Sequence, residues 1–71
     1  MTLGQIYENG SGRLQIDDRE LTSGDTLEVL IVDGRDQLPR WEATSVECNG
    51  GAYYLTGLLG YSPVGLFGRV D

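Results

Sequence analysis

Few residues in this chain have the chemistry for catalysis, and their spacing does not assemble it. There is no histidine, so no ordinary side chain titrates near neutral pH to act as a base. Cys48 is the single cysteine. With no imidazole to take its proton it lacks the paired base that a nucleophile needs, and its place beside Asn49-Gly50 reads as that of a small packing residue. The carboxylate neighbours Asp17/Asp18 and Asp33/Asp36 would serve general acid–base chemistry only in a cleft that raises one pKa. Metal chemistry fares no better. Asp33-Gly34-Arg35-Asp36 lacks the alternating oxygen ligands and closing Glu of an EF-hand loop, and Asp17-Asp18-Arg19-Glu20 sets an arginine among its carboxylates; both read as solvated turns. Gly10-Ser11-Gly12 lacks the third glycine, the lysine and the following helix of a phosphate loop. An enzyme is therefore not expected, and neither is a metal or a cofactor.

Binding is the chemistry that remains. Eleven carboxylates face five arginines, giving a net charge of −6 with no lysine. The acids are spread along the chain, from Glu8 to Asp71, so they decorate a folded surface and do not form a tail. Such a surface repels phosphate backbones. Direct nucleic-acid binding is disfavoured and a basic protein partner is favoured. In that reading Asp17, Asp18, Glu20, Asp33 and Asp36 steer the encounter, and an aromatic such as Tyr61 or Phe67 anchors it. Two blander accounts stand beside it. Acidic surfaces keep small domains soluble, and the aromatics near the C-terminus complete the core or a self-association surface.

The elements that must hold these residues are strands. Leu3 to Ile16 reads as a hairpin, with turn chemistry at Glu8 to Gly12 and alternation placing Leu14 and Ile16 on one face. Asn9-Gly10-Ser11 fits a glycosylation acceptor but reads better as that hairpin turn. Asp17-Asp18-Arg19 makes a second turn and Ser23-Gly24-Asp25 a third. Thr26 to Val32 puts Leu27, Val29 and Ile31 on one face; Leu30 and Val32 on the other make its C-terminal half read as buried on both sides, as in a central strand. A polar loop follows from Asp33, and Pro39 belongs at a strand start or edge. Trp41 to Thr56 is a hairpin in which Asn49-Gly50 favours a type I′ turn and Gly51 allows a bulge. Its register is ambiguous by one residue. The charge of Glu42 turns Trp41 and Ala43 inward, which forces a bulge or bend before Val46. Leu58 to Pro63 reads as a turn or one turn of 3₁₀ helix, and Val64 to Val70 as a closing strand with Val64, Leu66 and Val70 in and Phe67 and Arg69 out. No window sustains a helix.

Several short strands at this length indicate one all-β domain over residues 1–71 (an N-terminal hairpin, 1–19, and a core, 20–71). The expectation is a small barrel of five or six antiparallel strands closed on itself to remove its edges. So short a chain has a thin core. One cysteine and no histidine leave no internal disulfide or metal staple, so good packing or a homodimer must compensate. No segment has the length and apolarity of a membrane span and the N-terminus lacks the pattern of a signal peptide, so a cytoplasmic location is expected.

Ser23-Gly24-Asp25-Thr26-Leu27-Glu28-Val29, then Trp41 to Val46, then Gly51-Ala52-Tyr53-Tyr54-Leu55 resemble SH3-like barrels of the Tudor and KOW kind. They carry a Gly-Asp turn before a first strand, a Trp opening the second, and an aromatic after the next hairpin turn. Over about residues 20–70 the chain is also similar to a family of short bacterial proteins of unknown function. The Tudor resemblance implies a reader of methylated or arginine-rich peptides if Trp41, Tyr53, Tyr54 and Tyr61 converge into a cage. In size and charge the chain is similar to small inhibitors of host defence from phages and mobile elements. A structural, oligomer-forming accessory domain is the third alternative.

Overall fold

A computed structural model describes residues 1–32, 38–58 and 60–71. The protein is all-β, with no helix among these residues. Seven strands follow in order: β1 (Thr2–Glu8), β2 (Leu14–Ile16), β3 (Arg19–Glu20), β4 (Thr26–Ile31), β5 (Arg40–Asn49), β6 (Ala52–Leu55) and β7 (Phe67–Val70). All pairings are antiparallel, and the sheet order is β3-β2-β1-β7-β4-β5-β6. The count exceeds the expected five or six because the Asp17-Asp18 turn folds the two-residue β3 back onto β2, pairing Ile16 with Arg19. Asp17 takes a φ of 51° there, a left-handed conformation that Asp tolerates better than most residues.

The sheet curls into a half-barrel, with β3 and β6 as its two edges. This curl is compatible with the expected small barrel, built from seven strands where five or six were expected. The concave side holds the core, in which Ile6, Leu14, Ile16, Leu21, Leu27, Val29, Ile31, Val46, Leu55 and Val70 are buried. β4 is central, flanked by β5 and β7. Its Leu27, Val29 and Ile31 face inward as expected, but Leu30 is half-buried and Val32 is exposed on the other side.

Gly68 on β7 and its partner Gly4 on β1 are paired directly. A Cβ at Gly68 would lie 3.1 Å from Ile16 Cδ1 and 3.5 Å from Ile6 Cδ1. The bare backbone leaves room for these two isoleucines to approach β7 closely.

The second hairpin differs from its expected register. Asn49 pairs with Ala52, so the turn centres on Gly50-Gly51, with φ values of 63° and 90°. Both positive angles suit a type I′ turn and its twist. β5 pairs in unbroken register with β4 over residues 40–45 and with β6 over 46–49, without a bulge. Its inward residues are Thr44, opposite Leu27, and Val46, opposite Leu55. Trp41 and Ala43 therefore face outward, the reverse of the expectation. Glu42 shares the inner side because it lies near the end of the sheet, half-buried and ion-paired with Arg40 at 2.6 Å. Thr44 tolerates burial because its Oγ1 donates to the Thr56 carbonyl at 2.7 Å. Ser45 and Thr56 hydroxyls lie 3.0 Å apart beside it, so a small hydroxyl cluster marks the point where β5 changes partner. Cys48, expected to pack, is exposed near the hairpin tip. Val64 is also exposed, because the last strand begins only at Phe67 and residues 63–66 form a turn closed by Leu66 N–H on the Pro63 carbonyl.

Candidate partner-binding surface

The outward side of β1, β7, β4 and β5 carries the most distinctive side chains. Cross-strand register builds it row by row. Gln5 pairs with Phe67, Phe67 with Leu30, and Leu30 with Trp41; the next row is Leu3, Arg69, Glu28 and Ala43. Residues directly opposite on one face are in reach of each other. Trp41 and Phe67 rings are tilted by 49° with centroids 6.4 Å apart. The Arg69 guanidinium lies 3.8 Å over the Trp41 ring, and its Nε donates to Glu28 Oε1 at 2.9 Å. Arg69 is thus held by a carboxylate on one side and by a ring quadrupole beneath it. Around this pair Phe67 is 38% exposed, Leu3 51% and Val32 67%, an apolar surface that the fold itself leaves uncovered.

The acidic residues lie elsewhere. Asp17 and Asp18 form the exposed β2–β3 turn, and their carboxylates make no ion pair among the described residues. The Asp17 carbonyl accepts from Tyr7 Oη at 3.0 Å and from Gln15 Nε2 at 2.8 Å. Glu20 is occupied: it accepts from Arg13 Nη1 at 3.1 Å and from Asn9 Nδ2 at 2.8 Å. Asp33 and Asp36 lie outside the described residues. Phe67 faces outward as expected and sits two strands from β2 in the order, about 10 Å at ordinary strand spacing. Tyr61 is half-buried and packs against the core together with Tyr53, Leu58 and Leu66, so its ring is committed to the fold.

The structure therefore brings Asp17, Asp18 and Glu20 together and separates them from Phe67. Sequence reasoning missed Trp41, Leu30 and Arg69 as members of one surface. The period-two pattern of β4 and β7 pointed to Leu30 and Arg69, but the placement of Trp41 hung on a register that the sequence leaves open.

The aromatics do not assemble into a four-ring cage among the described residues: Trp41 stands with Phe67 on the outer face, whereas Tyr53 and Tyr61 line the core. An open depression of about 490 Å³ lies by the chain ends, lined among others by Met1, Arg19, Asp25, Glu28, Arg69 and Asp71. Several of its charged groups are engaged by the fold: Arg19 donates to the Asp71 carbonyl, Asp25 accepts from the Thr22 N–H at 2.9 Å, and Glu28 holds Arg69. No cluster of three acidic or thiol side chains fit for a metal ion occurs among the described residues.

No curated protein and no solved structure gives a significant match. A family profile described as a domain of unknown function, DUF5348, matches residues 4–66 of the 71. The chain belongs to the DUF5348 family.

Proposed function

We propose that this protein is a non-catalytic binding module, SH3-like in its curled sheet, whose acidic surface engages a basic protein, including one that normally holds nucleic acid. The observation that carries the reading is how the arginines are spent. Arg13 pairs with Glu20, Arg40 with Glu42 and Arg69 with Glu28, while Arg19 donates to the Asp71 carbonyl. Each described arginine is turned to the fold's own acceptors. Asp17, Asp18, Glu8 and Glu47 keep their carboxylates out of ion pairs among the described residues. The field that reaches a partner is then negative, which steers encounter with a basic surface and suppresses approach to nucleic acid. A phage-type or mobile-element-type inhibitor of a nucleic-acid-binding protein is one role with these properties.

The test is binding to a panel of basic nucleic-acid-binding proteins across a salt series. Affinity for at least one should fall steeply with salt, and Asp17→Asn with Asp18→Asn should flatten that dependence. Affinity indifferent to salt removes the electrostatic reading.

One observation keeps a second reading in view. Trp41 already carries a guanidinium, that of Arg69, so its ring is suited to arginine. A reader of arginine-rich peptides would have to displace Arg69 first, and Arg69→Ala should then strengthen binding of such a peptide.

A further inference from the structure

We infer that the outer face of β1, β7, β4 and β5 is the docking site for a short basic segment of a partner protein. The inference rests on the acidic-module reading and adds to it the place of contact and the form of the partner. The face has the anatomy of a contact surface, with an apolar middle and a charged margin. Phe67, Leu30 and Trp41 form one row, with Leu3 in the next row and Val32 beyond. The Asp17-Asp18 turn borders one side, where the Asp17 main-chain carbonyl accepts from the Tyr7 hydroxyl, and Asp71, whose carbonyl accepts from Arg19, follows β7. Arg69 does not interrupt the middle. It lies over Trp41 with its charge matched by Glu28, so the centre of the face is nearly neutral, while the Asp17 and Asp18 carboxylates at its border are out of ion pairs among the described residues.

Size and charge choose the occupant. Four strands at about 4.8 Å spacing make the face only about 14 Å across. Over the four-residue length of β7, about 13 Å at ordinary strand rise, the part shared by all four strands covers roughly 200 Å², against roughly 800 Å² per partner in a stable protein–protein interface. The face is too small to hold two whole domains together, but it matches a few residues of an extended chain. A second copy would also bring another net charge of −6 to the same anionic margin. A segment with an apolar side chain for the row and arginine or lysine for the margin meets both conditions. The side chains it would meet stand on a four-stranded sheet, so little conformational freedom is lost on docking.

The experiment is a titration of the full-length, isotope-labelled protein with a synthetic peptide of alternating arginine and leucine, followed by NMR. The Trp41 indole N–H and the backbone amides of β4 and β7 should shift together. Phe67→Ser should weaken binding about tenfold or more, as truncation of an anchor does. Leu3→Ser, on the neighbouring strand, gives a second reading should Phe67→Ser fail to fold. Asp17→Asn should reduce the salt dependence without moving the mapped site. Shifts confined to the β2–β3 turn, with affinity unaffected by Phe67→Ser or Leu3→Ser, would overturn the docking face and leave the acidic module standing. No shift anywhere would overturn both. Concentration-dependent self-association abolished by Phe67→Ser would show that the occupant is a second copy, which overturns the inference.

Discussion

At the scale of single residues, the clearest case is Asn9. Its side chain is the hub of the first hairpin: Oδ1 accepts from the Ser11 and Arg13 N–H groups at 2.9 and 3.1 Å, and Nδ2 donates to Gln15 and Glu20, both at 2.8 Å. Asn side chains close turns in this way by imitating the backbone. Asn9→Ala removes all four bonds, and we expect it to cost about 2 kcal/mol in urea unfolding. Ser11→Ala, in the same acceptor-like triplet, should be nearly silent, since only the Ser11 backbone enters that set. The turn was legible because Asn-Gly carries its own conformational signal. Trp41 was not. The charge of Glu42 points Trp41 inward, whereas the carboxylate is satisfied by Arg40 at the rim, a contact that no local pattern announces. A charge at the end of a strand is a weak guide to its face. Tyr61 misled for a related reason: an aromatic in a glycine-rich tail looks exposed until the curl of the sheet supplies a surface for it to cover.

At the scale of elements, β5 does the most to shape the molecule. It serves β4 with its first half and β6 with its second, and the hydroxyls of Thr44, Ser45 and Thr56 gather where the change occurs. The β5–β6 turn sets which residues pair across the hairpin. Gly50 and Gly51 both occupy positive φ. We expect Gly51→Ala to destabilise by about 1–2 kcal/mol, the cost of forcing a Cβ into that region, while Gly50→Asn is nearly neutral because Asn is favoured at the first position of a type I′ turn. Chemical denaturation of the two variants checks the pair; equal losses would mean that the turn is not type I′. The strand pattern itself was readable from alternation in β1, β2 and β4. The hairpin register was not, because Asn49-Gly50 and Gly50-Gly51 are both good turns. The choice between them falls to Val46 meeting Leu55 in the core, a contact decided by packing.

For the whole molecule, the balance is between a thin core and an excess of like charge. The extents are 38 × 26 × 18 Å, so the shortest dimension admits little more than one sheet and the side chains it curls around. With eleven carboxylates against five arginines, self-repulsion opposes compaction and salt screens it. Moving from low to moderate salt should therefore raise the urea midpoint, even though the same salt weakens binding to a basic partner. A falling midpoint would mean that the ion pairs of Arg13, Arg40 and Arg69 outweigh the repulsion. The all-β class was legible from short strands and frequent turns. The strand count was not, since the two-residue β3 exists only because the Asp17-Asp18 turn brings Arg19 back beside Ile16.

The glycine pair between β1 and β7 makes the last strand two-sided in its tolerance of mutation. Gly68→Ala would push a methyl against Ile16 and the Glu28 carbonyl, 3.1 and 3.4 Å from the new atom, and should cost about 1–3 kcal/mol. Phe67 and Arg69, its immediate neighbours, point away from that contact. A saturation scan of β7 read out by cellular abundance should therefore alternate along the strand, harsh at 68 and 70, lenient at 67 and 69. The lenient positions are those a lineage can rewrite to suit a new partner while the scaffold stays the same.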